Sequence, residues 1–517
     1  MAGSGILLGS LLLLGATLLL LRPRRRQHYP PGPPPKPLIG NALDMPKVRP
    51  WEKYREWCRT YNSDIIYLSL PTHPVIIVNT VKVAMELLDK RSNIYSGRIR
   101  FYMVEMMSWD LHFGGMTYGA RWRAHRQLFH KHFPPTDTDK YTDVQLREIR
   151  RFLSHALKSP QHTRKFIRQA ITAIIVKILY GKQIDSMDDE YVVTAEKATE
   201  GLSIAVLPGG HLVEFFPILR HFPSWLPGGG SKRVAEKYIP YVRNLRNKAF
   251  LEVKSAFGKG TPRPCVVSSM IEDIHAAHGG TAEEAVQEDM AMNVAGSTYT
   301  AGADTTTSAA ESFVLAMALY PDVQRKAQAE LDRVIGSGRL PIWDDLDNLP
   351  YIRATVMETW RWMPVTPFGV PHCVTADDMY EGYHIPKGAS VVPNVWAMLH
   401  NPEDYPDPEN FVPDRFIGKD GKIDSSVRDP TPLLFGFGRR VCPGKHIAIK
   451  NLQMFIASVL LVFDISAGVD EDGKPNKLSA ELLGAMVANP VTVPTGLKPR
   501  SAAAAQLVHE SDLALSA

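Results

Sequence analysis

Helical segments inside one large domain are what this 517-residue chain predicts. Three observations carry that reading. Gly5 to Leu21 is an uncharged, Leu-rich run of 17 residues. Asp289 to Leu319 has no proline inside it and is largely apolar, the pattern of a long helix buried on most sides. Ile352 to Met363 reads as a shorter helix ended by Pro364. No composition shift or low-complexity linker interrupts residues 40–500, so one large domain is expected there.

Composition narrows the class. Hydrophobic residues make up 44% and charged residues 22%, which is ordinary for a globular chain. Cys58, Cys265, Cys373 and Cys442 lie far apart without CxxC spacing. That argues against a disulfide framework or zinc site and fits a reducing compartment. The formal charge is +5, but residues 1–29 hold four arginines and no acid, leaving +1 on the remainder. Basicity confined to one end is not the distributed positive surface that nucleic-acid binding needs.

Residues 1–28 read as a membrane anchor with a basic stop. As a helix, the apolar run spans ~25 Å, the short end of a bilayer crossing. Arg22, Arg24, Arg25 and Arg26 follow at once, and the positive-inside rule keeps that end, with the bulk of the chain, in the cytosol. A cleaved secretory signal fits less well. Its basic leading region is missing, and arginines stand where small cleavage-site residues belong. Residues 29–37 are proline-rich and are expected to form a stiff, extended hinge. Residues 501–517 are expected to be a loose tail.

Near the other end lies Phe435-Gly436-Phe437-Gly438-Arg439-Arg440-Val441-Cys442-Pro443-Gly444. One cysteine sits in a glycine-rich loop ahead of an apolar, helix-like run. A thiolate so held is a good axial ligand for haem iron, and nearby amides can tune the sulfur. Gly438 and Gly444 are expected to let the backbone approach a flat macrocycle. The loop resembles the haem-ligand loop of cytochromes P450, Phe-x-x-Gly-x-Arg-x-Cys-x-Gly, at every fixed position.

Three further stretches resemble that family in family order. Trp122-Arg123-Ala124-His125-Arg126 resembles the Trp-x-x-x-Arg helix that binds haem propionates. Ala301-Gly302-Ala303-Asp304-Thr305-Thr306 resembles its Ala-Gly-x-Asp-Thr pattern. A back-bonded threonine or local bulge is expected to open the helix ladder there. Glu358-Thr359-Trp360-Arg361, with Phe411-Val412-Pro413-Asp414-Arg415-Phe416, resembles its Glu-x-x-Arg clamp and the partner arginine. The i,i+3 spacing puts Glu358 and Arg361 on one helix face.

The resemblance covers residues 38–500 and points to the fungal microsomal class II enzymes similar to O-methylsterigmatocystin oxidoreductase. It implies a mainly α fold with a small β region, the cytochrome P450 fold, behind a single transmembrane helix. It also implies haem b, with Cys442 on the iron and Arg440, Trp122, Arg126, His372, Arg98 and Phe435 around the macrocycle. Thr305 and Asp304 would handle water and protons on the opposite face, and Gly302 would leave room for dioxygen. Glu358, Arg361 and Arg415 would form the structural clamp.

By family position, substrate would meet segments Phe101–Phe113, Leu202–Phe216, Val294–Ala301, Val365–Val370 and Leu483–Ala488. Met106, Phe113, Ala301, Val365, Phe368, Val370 and Met486 are the candidate contacts. The implied activity is monooxygenation of an apolar small molecule with O2, in secondary metabolism. Electrons would come from NADPH through NADPH-cytochrome P450 reductase at the endoplasmic reticulum membrane. Arg121, Arg123, Lys131, Arg439, Lys445 and Lys450 would steer the acidic reductase. Two alternatives need no reductase: a haem-thiolate isomerase or dehydratase, and a non-catalytic haem-binding protein. An intact Asp304-Thr305 pair argues against both.

Overall fold

The spine of the molecule is a helix of 38 residues, Ala282–Leu319. In the computed structural model it is α8, in a helix series that begins with α1 (Pro50–Thr60), α2 (Ala120–His132), α3 (Thr142–Lys158) and α4 (Thr163–Tyr180). Next come α5 (Glu190–Ala205), α6 (Gly230–Gly258) and α7 (Val266–His278). After α8 come α9 (Pro321–Val334), α10 (Pro350–Trp362), α11 (Lys445–Val462) and α12 (Ala502–Ser516). The structure describes residues 28–516 except 138, 208, 209, 471 and 485.

α8 is apolar around its circumference because it is enclosed by α2, α4, α6, α7, α10 and α11. Asn293–Ser297 and Thr306–Met317 are buried throughout. The helix does not open at the Asp-Thr-Thr step. The Thr305 hydroxyl bonds the Ala301 carbonyl at 2.7 Å, and the α-helical assignment runs unbroken through it. The helix ends at Tyr320, and Pro321 starts α9 at its first turn.

The β structure is small and lies to one side. β1 (Ile65–Leu68), β2 (Val75–Val78), β3 (His372–Cys373) and β6 (Ser390–Pro393) form a sheet in the order β1-β2-β6-β3. β1 and β2 are an antiparallel pair, β2 and β6 are parallel with Ile76 beside Val391, and β3 returns antiparallel. β2 and β6 are buried along their whole length, as central strands covered on both faces must be. β4 (Asp378–Tyr380) and β5 (Tyr383–Ile385) form a separate hairpin.

Two expectations about the ends need correction or limit. The anchor reading falls on residues 1–27, outside the described residues, apart from His28. The proline stretch is no free hinge. His28 stacks on Tyr383 and Tyr29 on Tyr67, at 4.9 and 4.5 Å between centroids. Tyr67 N–H donates to the Pro31 carbonyl at 2.9 Å. Polyproline backbone leaves its carbonyls unpaired, and the β1 edge takes one up. The tail is not loose either. α12 packs on α3 and α11, with Val508 1% exposed, and Asp512 accepts from Ser154 and Lys158 at 2.8 and 2.9 Å. Burial of the Ala504–Val508 stripe, one helical turn apart, offsets the entropy of ordering it.

Candidate active site

Cys442 sits two residues before the capping Gly444 of α11. Burial pushes its thiol up, while amides of Gly444 and Lys445 and the charges of Arg126 and Lys445 act in the opposite direction. These amides belong to the unpaired first turn of α11, where a negative sulfur is favoured. Cys442 N–H donates to Phe435 O at 2.7 Å, closing the loop on itself. Gly436 and Gly438 have φ of 85° and 51°, which a side chain would strain. At Gly438 the close neighbour is the Leu88 carbonyl, 2.5 Å from where a Cβ would stand. So Gly438 serves chain packing against residues 88–92, not close approach to a macrocycle.

The clamp supports that loop. Glu358 and Arg361 are both 0% exposed and form a bidentate pair at 2.7 and 2.9 Å. Arg361 also donates to the carbonyls of Leu399, Pro408 and Asn410. Glu358 takes the Val412 amide at 2.7 Å and Arg415 Nε at 3.3 Å. Each charge is thus paired and hydrogen-bonded, the condition under which a buried ion pair is tolerated. Trp360, between the two clamp residues, meets Phe435 edge-on at 5.4 Å. Through that contact α10 holds the cysteine loop.

A cluster of cations lies beside the loop. Arg440 Nε donates to Ser96 O at 2.8 Å and Nη2 to Met116 O at 2.7 Å, while Nη1 is buried without a partner. Arg98 donates to Gly114, Val370 and Pro371 carbonyls. Arg126 donates to His130 Nε2 at 2.9 Å and lies over Trp122. His372 Nδ1 donates to Tyr95 O at 2.7 Å. Burial and Arg126 lower Arg440 to about 10. Burial and Arg440 hold Arg98 well below its ordinary value, and burial with Arg98 does the same to His372. Among the described residues no carboxylate pairs with Arg98, Arg126 or Arg440.

That cluster is the fit test for haem. Crowded, half-desolvated arginines with one orphaned donor require an anionic ligand, and two propionates supply two negative charges. The thiol at the α11 terminus would supply the donor atom for iron. The residues present therefore fit the group.

On α8, Ala301 is exposed although its neighbours Asn293–Ser297 and Thr306–Met317 are buried. It faces a gap, with Thr305 one turn below on the same stripe. Gly302 does not share that face. A Cβ there would stand 2.8 Å from Ile175 Cδ1 on α4. The missing side chain lets α4 and α8 approach, so the expected role of making room for dioxygen is corrected. Asp304 turns to α4 and α5, accepting from Arg168 at 3.2 Å, with Thr199 of α5 beside it. Burial raises its pKa, and Arg168 acts against that rise.

The candidate substrate segments converge on α8 in part. Phe113 N–H donates to Ser297 Oγ at 3.2 Å. Ser308 Oγ donates to Ala488 O, and Ala488 N–H donates to Val365 O at 2.8 Å. These bonds bring Phe113, Ala301, Val365 and the strand after Met486 together. Met106 and Met486 are partly buried against the same core. Phe368 packs against that core too and also borders a second cluster. Its ring packs on Trp51 and Tyr54 at 5.8 and 5.5 Å, in the cluster under β1 and β2. Val370 is 39% exposed, and its carbonyl serves Arg98.

Several functional partners carry no local signal. Arg168 lies 136 residues from Asp304, and Glu214 reaches back to accept from the amides of Tyr102 and Met103 at 3.1 and 2.7 Å. Nothing around either residue marks the pairing.

Comparison with known proteins gives the same picture. The family description Cytochrome P450 matches residues 30–491. The chain is 38% identical over 487 residues to Cytochrome P450 monooxygenase COX2 of Coprinopsis cinerea, covering 94% of this chain and 92% of that one. It is 38% identical over 474 residues to Tryptamine 4-monooxygenase of Psilocybe cyanescens, covering 91% and 92%. It is 38% identical over 483 residues to Cytochrome P450 monooxygenase ple1 of Rhodocybe pseudopiperita, covering 93% and 91%.

Proposed function

The chain belongs to the cytochrome P450 family and is a monooxygenase of fungal type, and from that premise we propose that it oxidises a neutral, apolar small molecule in secondary metabolism, drawing NADPH electrons through a membrane-bound reductase. When bound, haem supplies the dioxygen activation and C–H oxidation. The chain supplies position, charge and protons. Cys442 would hold the iron, Arg98, Arg126 and Arg440 would take the propionates, and Thr305 would hold a proton donor over the gap beside Ala301.

The observation that carries this reading is the intact Asp304–Thr305 pair. Thr305 borders the gap, and Asp304 is joined to the half-exposed Arg168 at 3.2 Å, a route from solvent to the site. A neutral substrate is favoured by the acids nearby. Glu105 pairs with Arg100, Glu214 is used on backbone amides, and Asp110 is exposed. The amine named for one relative would find no buried free carboxylate in those segments.

For the partner, Lys131 and Lys450 pair with Asp273 and Asp139 at 2.8 and 2.6 Å, leaving Arg121, Arg123, Arg439 and Lys445 to steer an acidic surface. Composition of residues 1–28 supports a single-pass anchor in the endoplasmic reticulum with a cytosolic domain. Removing them is expected to release most of the protein from membranes with its haem spectrum intact.

The deciding test is turnover with purified reductase and candidate apolar substrates. Substrate-dependent NADPH consumption with an oxygenated product is expected. Conversion at full rate without NADPH would replace this reading with an isomerase.

A further inference from the structure

A buried polar relay crosses three helices. Arg246 on α6 donates from Nε to Asn293 Oδ1 on α8 at 2.7 Å and also pairs with Asp289. The Asn293 amide nitrogen gives one hydrogen to Asp289 Oδ2 at 3.3 Å and one to His125 Nε2 on α2 at 3.3 Å. His125 Nδ1 lies 2.8 Å from the Arg121 carbonyl, so it must donate. The ring is therefore the neutral Nδ1–H tautomer with Nε2 as acceptor. His125 and Asn293 are 4% and 2% exposed.

From this geometry we propose that His125 is a positioning residue for the haem edge, and that Arg246 sets it from α6 through Asn293. The inference rests on the reading that haem occupies the site. Trp122, His125, Phe129 and His132 are the buried face of α2. Apolar packing along such a stripe tolerates small rotations, whereas a satisfied buried polar pair accepts one register. His125 lies three residues after Trp122 and one before Arg126. A rotation that breaks its bond to Asn293 swings both away from Arg440 and Cys442, which Arg126 influences electrostatically. Arg246 fixes the sense of the Asn293 amide. With Oδ1 committed to Arg246, only the amide hydrogens can face His125.

The test compares three variants of the full-length holoprotein: His125→Leu, His125→Gln and Arg246→Leu. Two quantities are read, the rate of haem transfer to excess apomyoglobin and hydrogen exchange across residues 121–130. His125→Leu strands the Asn293 amide and should release haem about tenfold faster. His125→Gln offers an amide oxygen near the Nε2 position and should stay within about twofold of the parent. Arg246→Leu, two helices away from the haem edge, should raise exchange in 121–130. Parent-like haem release in His125→Leu, or equal release from the Leu and Gln variants, overturns the proposal. Should His125→Leu fail to fold, unchanged exchange in Arg246→Leu overturns it alone. A parent protein without a haem spectrum would instead refute the functional reading.

Discussion

Arg440 lies with its guanidinium 4.5 Å above the ring of Trp122. Two of its nitrogens are bound to the carbonyls of Ser96 and Met116, and Nη1 faces no partner. The group is held rigidly with one donor to give. Trp122 brings α2, and with it Arg126, against the cysteine loop.

Arg440→Leu should therefore lower haem retention more than it lowers folding. Loss of a charge-assisted bond to a propionate should speed haem release by roughly tenfold. Haem per protein and release rate are the measurements. Full occupancy with a parent-like release rate would mean that Nη1 serves no anion.

Glu358→Ala should be among the most damaging substitutions in the chain. It leaves Arg361, at 0% exposure, and Arg415 without their carboxylate. Breaking a buried pair from one side costs about 3–5 kcal/mol. Arg415→Ala should cost less, because Glu358 keeps its two bonds to Arg361 and the Val412 amide. Denaturant unfolding of the two variants gives the order, and equal costs would contradict it.

Thr305→Ala should keep haem and NADPH consumption but lose productive turnover by about 10²-fold, the scale of a positioned proton-transfer group. Peroxide released per product is the readout. The α8 helix should persist, since the Thr305 hydroxyl bond to Ala301 O adds to a ladder already complete. Parent-level coupling would remove Thr305 from the site.

Asp304 yields a pH prediction. Its pKa is raised above 3.8 by burial, with Arg168 and Thr199 opposing. The folded state then binds this proton more tightly than the unfolded chain does. Stability falls as pH rises through the window just above 3.8. Asp304→Asn removes that slope. The Tm of the variant relative to the parent should improve as pH rises from 3.8 toward neutrality. A flat or falling difference would contradict the raised pKa.

What the sequence disclosed follows chain distance. The cysteine loop and the Glu358–Arg361 pair are local, so spacing alone shows which groups share a turn or face. Pairings such as Asp304 with Arg168, His125 with Asn293 and Glu214 with the amides of Tyr102 and Met103 depend on which helices meet, and no residue announces its partner. Gly302 and Gly438 differ from expectation for another reason. A glycine where two segments approach closely looks the same in sequence as one at a ligand. The terminal helix α12 was hidden by its weak stripe, in which Ala504 and Val508 supply the burial.

The central claim is that Cys442 would supply the thiolate that holds the haem iron, and the reduced carbon-monoxide difference spectrum of Cys442→Ala tests it most directly. The parent should show the red-shifted Soret band of a thiolate-ligated haem, and the variant should lose it. The same band, undiminished in Cys442→Ala, would contradict the account of this site.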